Sequence, residues 1–135
     1  MRIVYPNDTG GVSVIIPSPN WGGTMEELAA KDVPNGKAYK IVEDSAVPTD
    51  RAFRDAWENY EAIAVSMTKA KEITKTRLRA ERKPLLEAQD VLFMKAQESS
   101  SDTAAIVTEK QRLRDITASA DSASTLDELK GLSAA

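Results

Sequence analysis

Glycine and proline are spread unevenly along this chain, and that unevenness limits what it can fold into. Of six glycines and six prolines, five of each fall within residues 1–48, leaving only Pro84 and Gly131 beyond. Glycine opens backbone angles that turns need, and proline removes a donor that every helix interior needs. The pattern predicts an α+β fold, mostly α, with a small turn-rich head followed by a helical body. Composition sets the boundaries at 1–48 for a β-containing head and 49–98 for a long helix kinked or broken at Pro84. Residues 99–135 remain for a returning helix, closing a helical hairpin, and a short C-terminal helix.

Within the head, residues 2–5 and 12–16 read as strands. Val12, Val14 and Ile16 alternate with Ser13 and Ile15, and Asn7-Asp8-Thr9-Gly10-Gly11 between the two supplies turn residues. Residues 17–23 read as a loop whose Trp21 anchors either onto the hairpin or into a neighbouring molecule. Thr24-Met25-Glu26-Glu27 is a capping-box sequence, predicting a two-turn helix to about Lys31. Residues 38–42 read as a third strand beside the hairpin, since two strands alone are marginal.

In the body, Thr49 or Asp50 is placed to cap a helix. Phe53, Ala56, Trp57 and Tyr60 follow at spacings of three and four, predicting one helix over residues 50–83 with Phe53 and Trp57 sealing head to body. Beyond Pro84, Leu85, Leu86, Val91, Leu92, Phe93 and Met94 form the densest apolar cluster. Glu98-Ser99-Ser100-Ser101-Asp102 is a break. The helix expected from 103 to about 116 buries Ile106, Val107, Leu113 and Ile116 against the helix after Pro84. Residues 118–124 read as a linker, and Thr125-Leu126-Asp127-Glu128 as the cap of a last helix ending near Gly131.

The residues that carry most enzyme chemistry are scarce. The chain has no His and no Cys, so the commonest general base, the commonest metal ligand, thiolate sites and disulfides are all excluded. The candidate carboxylate pairs Asp55/Glu58, Glu87/Asp90 and Asp127/Glu128 lie in charge-rich segments, two of them beside expected helix starts where acids are favoured anyway. Gly10-Gly11 and Gly22-Gly23 lack the Lys-Ser or Rossmann spacing of a phosphate cradle. The reading is therefore non-enzymatic, with no cofactor and no metal. No run of about 18 apolar residues occurs, so no membrane span is expected, and residues 1–6 do not resemble a secretion signal.

Charge is segmented. Residues 1–61 carry net −4, residues 62–86 net +5 and residues 87–135 net −4, within an overall −3. The basic run Lys69, Lys71, Lys75, Arg77, Arg79, Arg82 and Lys83 suggests phosphate contact. Against that, the whole chain is acidic and no aromatic lies between Tyr60 and Phe93 to stack on bases. A solvated or protein-facing helix is the better reading. Only 5% of residues are aromatic, so the body is expected to complete its burial against copies of itself or a larger partner.

Two segments also carry a resemblance. Arg79-Ala80-Glu81-Arg82-Lys83-Pro84-Leu85-Leu86-Glu87-Ala88-Gln89-Asp90, followed by Lys110-Gln111-Arg112-Leu113-Arg114-Asp115-Ile116-Thr117, resembles a pattern in small tailed-bacteriophage proteins of the tail and tail-fibre region, some of them tail-fibre assembly proteins. Ile3-Val4-Tyr5-Pro6, Val14-Ile15-Ile16-Pro17, Ala30-Lys31-Asp32-Val33-Pro34 and residues 48–57 are similar to such proteins too. The early strand-rich head and uninterrupted basic helix depart from a fibre-assembly protein. The resemblance implies a virion component assembled in the host bacterial cytoplasm, bound to tail, fibre or connector proteins and to copies of itself; an assembly chaperone is the alternative, and a nucleic-acid-binding phage protein the third reading. The residues expected to carry those contacts are Trp21, Phe53, Trp57, Arg82, Leu85, Leu86, Asp90, Phe93, Arg112 and Leu113. Arg82 or Arg112 would pair with Asp90 across the hairpin, over a seam of Leu85, Leu86, Leu113 and Ile116.

Overall fold

A computed structural model describes all residues, Met1–Ala135. Its first strands form where the apolar residues are densest. Strand β1 (Arg2–Pro6) pairs antiparallel with β2 (Val12–Ile15), Val4 opposite Val14, and with β3 (Lys40–Val42), Ile3 opposite Ile41. The order is therefore β2-β1-β3. Asn7 shapes the β1–β2 turn: its Oδ1 accepts from the Thr9 and Gly11 amides at 3.0 and 2.7 Å. Gly10 there has φ +79°, a left-handed angle that costs glycine no Cβ clash. A Cβ on Gly11 would meet the Asn7 side chain at 2.8 Å.

The sheet is covered on both faces, as strand periodicity of two requires when neighbouring residues are both apolar. Ile3, Ile15 and Ile41 face helix α1 (Met25–Asp32), packing with Leu28, Ala29 and Trp21. The expected capping box is present, Thr24 and Glu27 exchanging bonds of 3.1 and 2.8 Å. Val4, Val12, Val14 and Val42 face the other way, onto Val47, Trp57, Tyr60, Ile63 and Val65.

That second layer corrects the expected helix over residues 50–83. Instead, single 3-10 turns at Asp44–Ala46 and Arg54–Ala56 lead into a two-stranded ribbon, β4 (Trp57–Glu58) and β5 (Ala64–Val65). Asp50 Oδ1 accepts the Ala52 amide at 3.0 Å, a local turn competing with a helix start, and Asn59 sits at φ +59°. The exposed apolar face of the sheet outweighed a helical spacing. Phe53 and Trp57 are not a seal between head and helix; both are buried in the head, Trp57 completely. Its indole N–H has no hydrogen-bond partner, while the Arg54 guanidinium lies 4.7 Å from the ring centre and also donates to the Val12 carbonyl at 2.8 Å. Ile16 continues no strand and is 60% exposed.

Helix α2 (Met67–Glu98) starts where Ser66 Oγ accepts the Lys69 amide and runs 32 residues, about 48 Å. It passes through Pro84 unbroken. Helix α3 (Ala104–Asp115) follows the loop containing Ser100 at φ +53°, with Asp102 Oδ1 accepting the Ala104 amide. It returns antiparallel as expected: Arg82 reaches the Leu113 and Arg114 carbonyls, while Lys110 reaches Asp90, further along α2. Residues 118–124, expected as a linker, instead hold α4 (Ala118–Ser122), because Ala120 and Ala123 are buried. Helix α5 (Leu126–Gly131) is capped by Thr125, whose Oγ1 accepts the Glu128 amide, while the Glu128 carboxylate takes the Ser124 amide at 2.6 Å.

The chain divides into two units, Met1–Lys69 and Ala70–Ala135. In the second, Ala70, Thr74 and Leu78 share one face of α2 at spacings of four, buried together with Leu113, Ala120, Leu129 and Ala134. Val107, expected in this core, is instead exposed.

Candidate functional site

Seven bases between residues 69 and 83 suggest phosphate contact as the alternative to a solvated or protein-facing helix, and the structure shows what each base does. Lys69 reaches the Gly10 carbonyl and Glu58. Lys71 donates to the Asp121 carbonyl at 2.9 Å, and Lys75 sits between Asp121 and Glu72 at 2.7 and 3.1 Å. The bond to Asp121, then that to Glu72, raises the Lys75 pKa. Arg77 bridges Glu81 and the Leu129 carbonyl; Arg82 donates to the Arg114 carbonyl at 2.7 Å. Five of the seven thus bind their own chain, which amounts to tying α2 to α3, α4 and α5 and to securing its first turn in the head. Arg79 and Lys83 have no partner and stand exposed one turn apart. The unit Ala70–Ala135 contains eleven bases and eleven acids, so it carries no net positive field.

Arg79 and Lys83 line a groove of about 330 Å³ on α2 together with Arg82, Leu86 and Glu87. At helical spacing the same side of α2 continues through Asp90 to Met94. Here α2 is thinly covered. Val91, Leu92 and Met94 are 46%, 47% and 60% exposed, and Val107 of α3 is 48% exposed. Two helices in a single layer cannot bury both of their faces, and the rest of the second unit's core lies at the other end of α2.

The expected contact residues fall into three groups. Trp21, Phe53 and Trp57 belong to the head's own packing; Trp21 donates to the Thr24 carbonyl at 3.1 Å and carries Lys31 over its ring. Arg82, Asp90, Arg112 and Leu113 hold the α2–α3 hairpin and the chain's last residues, but with different partners than expected. Neither Arg82 nor Arg112 pairs with Asp90; Lys110 does, at 2.6 Å, while lying over the Phe93 ring. Arg112 instead chelates Glu109 and donates to the Ala134 carbonyl at 2.9 Å. That pairing raises the Arg112 pKa and lowers that of Glu109. Leu85, Leu86 and Phe93 are half-buried and keep a free flank. Sequence reasoning named the 85–94 cluster as dense but did not find its exposed members, nor the two unpartnered bases. The available signal was density itself: four apolar residues in a row at 91–94 exceed one helix face.

The acidic pairs do not assemble a site. Glu58 pairs with Lys69, Asp90 with Lys110 and Asp127 with Lys130, and Glu128 caps the Ser124 amide. No group of three or more acidic side chains gathers where it could hold a metal ion, and no helix is long and apolar enough to cross a membrane.

No protein-family model matches this chain, and neither does any curated protein or solved structure.

Proposed function

We propose that this chain is a non-enzymatic structural component of a tailed-phage virion, placed at the tail or tail-fibre region, where it binds neighbouring virion proteins. The observation that carries a protein-binding role is the exposed apolar end of the α2–α3 hairpin, Val91, Leu92, Met94 and Val107. Large apolar side chains gathered at one end of an element lower the free energy when a neighbour covers them. The phage and tail assignment rests on the sequence resemblance in residues 79–90 and 110–117. Internal pairing of five of the seven clustered bases supports a protein partner over nucleic acid. Mass spectrometry of purified phage particles tests the reading. A stoichiometric signal from this chain supports a virion part; its absence from finished particles, with presence in infected cells, assigns it instead to tail-fibre assembly.

A further inference from the structure

The groove on α2 is built unlike the rest of that helix. Along most of the basic run each cation is engaged by a carbonyl or carboxylate of its own chain, so its hydrogen-bond donors are used internally. At Arg79 and Lys83 the pattern stops, and two guanidinium and ammonium groups face solvent over the half-buried Leu86. Arg82, on the same groove, is held by the Leu113 and Arg114 carbonyls and forms a fixed wall. The opposite wall carries Glu87, an acid with no partner. One turn further, Asp90 is engaged by Lys110, and the stripe then becomes apolar at Met94 and, three residues before Lys110 on α3, at Val107. From Arg79 to Met94 the distance along the helix is about 22 Å.

We propose that this stripe is the docking site for an acidic, amphipathic segment of a different protein, its carboxylates on Arg79 and Lys83 and its apolar residues over Leu86, Met94 and Val107. The inference rests on the protein-binding role argued above and adds the chemistry of the partner. Two cations one helical turn apart match carboxylates at the same spacing on a partner helix, and an Arg–carboxylate pair beside an apolar wall gains from the partial exclusion of water. Glu87 is what favours a peptide over a nucleic acid. A phosphate backbone brings negative charge past every position of the groove, Glu87 included, whereas a peptide places its acids only where they are met. The missing aromatics between Tyr60 and Phe93 point the same way.

The test uses the purified full-length chain and a fluorescein-labelled peptide of about 16 residues, with Glu at i and i+4 in its first half and Leu at helical spacing in its second. Anisotropy titration at low salt is compared with an oligothymidylate of equal charge. Binding of the peptide is expected, weakened about tenfold or more by Arg79→Glu/Lys83→Glu and by Met94→Asp. None of these side chains has an intramolecular hydrogen bond or ion pair, so unchanged circular dichroism certifies the variants. Three results overturn the proposal: no peptide binding, equal binding by the Arg79/Lys83 variant, or tighter binding of the oligothymidylate. Self-association abolished by the same double variant also overturns it, by making the occupant a second copy. The virion assignment fails separately, through the composition of particles.

Discussion

At the scale of single residues, Glu81 has the widest reach in the second unit. One of its carboxylate oxygens takes the Ala134 amide at 3.1 Å and the other takes Arg77 at 2.6 Å. Arg77 itself holds the Leu129 carbonyl, so one acid secures both the last helix and the residues beyond it. The Ala134 amide first, and Arg77 second, hold the Glu81 carboxyl below the ordinary glutamate range. A depressed folded-state pKa gives stability that is complete above the unfolded value, about 4.3, and is lost as pH falls through the lower folded value. The clasp on Ala134 is therefore expected to open only in acid. Amide hydrogen exchange at Ala134, corrected for its intrinsic rate, should show constant protection at neutral pH and falling protection below about pH 4. Glu81→Ala should remove that protection at neutral pH. Protection that survives both acid and this substitution would show that the tail is held by packing of Ala134 alone.

At the scale of elements, what was legible in the sequence was local. The capping box at Thr24, the N-cap at Thr125, the Asn-Gly-rich turn, and the break at 98–102 each depend on residues within a few positions and appear as read, except that Glu128 takes the Ser124 amide where a full box at Thr125 would take the Thr125 amide. Residues 49–66 were misread because their fate is settled from far away. Phe53, Ala56, Trp57 and Tyr60 recur at helical spacing, yet the sheet face of Val4, Val12, Val14 and Val42 needed a cover, and Trp57, Tyr60, Ile63 and Val65 supply it together with Val47. Adjacent apolar pairs such as Ile3-Val4 and Val14-Ile15 were the signal for burial on two faces. The candidate site was half legible for the same reason: the basic run is obvious, but which bases are free depends on carbonyls at Leu113, Arg114, Asp121 and Leu129. Pro84 illustrates how an exposed position changes a local rule. It sits mid-helix on the solvent side, so the Ala80 carbonyl that loses its donor can turn to water, and α2 continues. Water only softens that cost. Pro84→Ala is expected to raise unfolding stability by about 1–3 kcal/mol in urea titration, since it restores one helical bond and removes a ring clash. A loss of stability would mean that the proline ring packs against something the free carbonyl does not reveal.

At the scale of the whole molecule, the buried core and the proposed docking surface are located in different places. The second unit is best buried around Leu78, Leu113 and Leu129, whereas its apolar residues at 91–94 and 107 remain open. Replacing exposed apolar side chains with acids removes little from the folded state and a great deal from any complex that covers them. Leu92→Asp combined with Met94→Asp is thus expected to change the unfolding free energy, from urea titration, by less than about 1 kcal/mol. On the virion role proposed above, the same double variant should lose incorporation into particles, measured as its ratio to a tail protein by mass spectrometry after complementing a deletion phage. Leu113→Asp is the contrast: it places a charge in a fully buried position, so it should lose incorporation by unfolding, with its helical signal lost as well. If Leu92→Asp/Met94→Asp particles carry the chain at the normal ratio, the open end of the hairpin is ordinary solvent surface and the neighbour must sit elsewhere. If that variant unfolds as Leu113→Asp does, those side chains contribute to the monomer's own core, and their exposure is no argument for a partner.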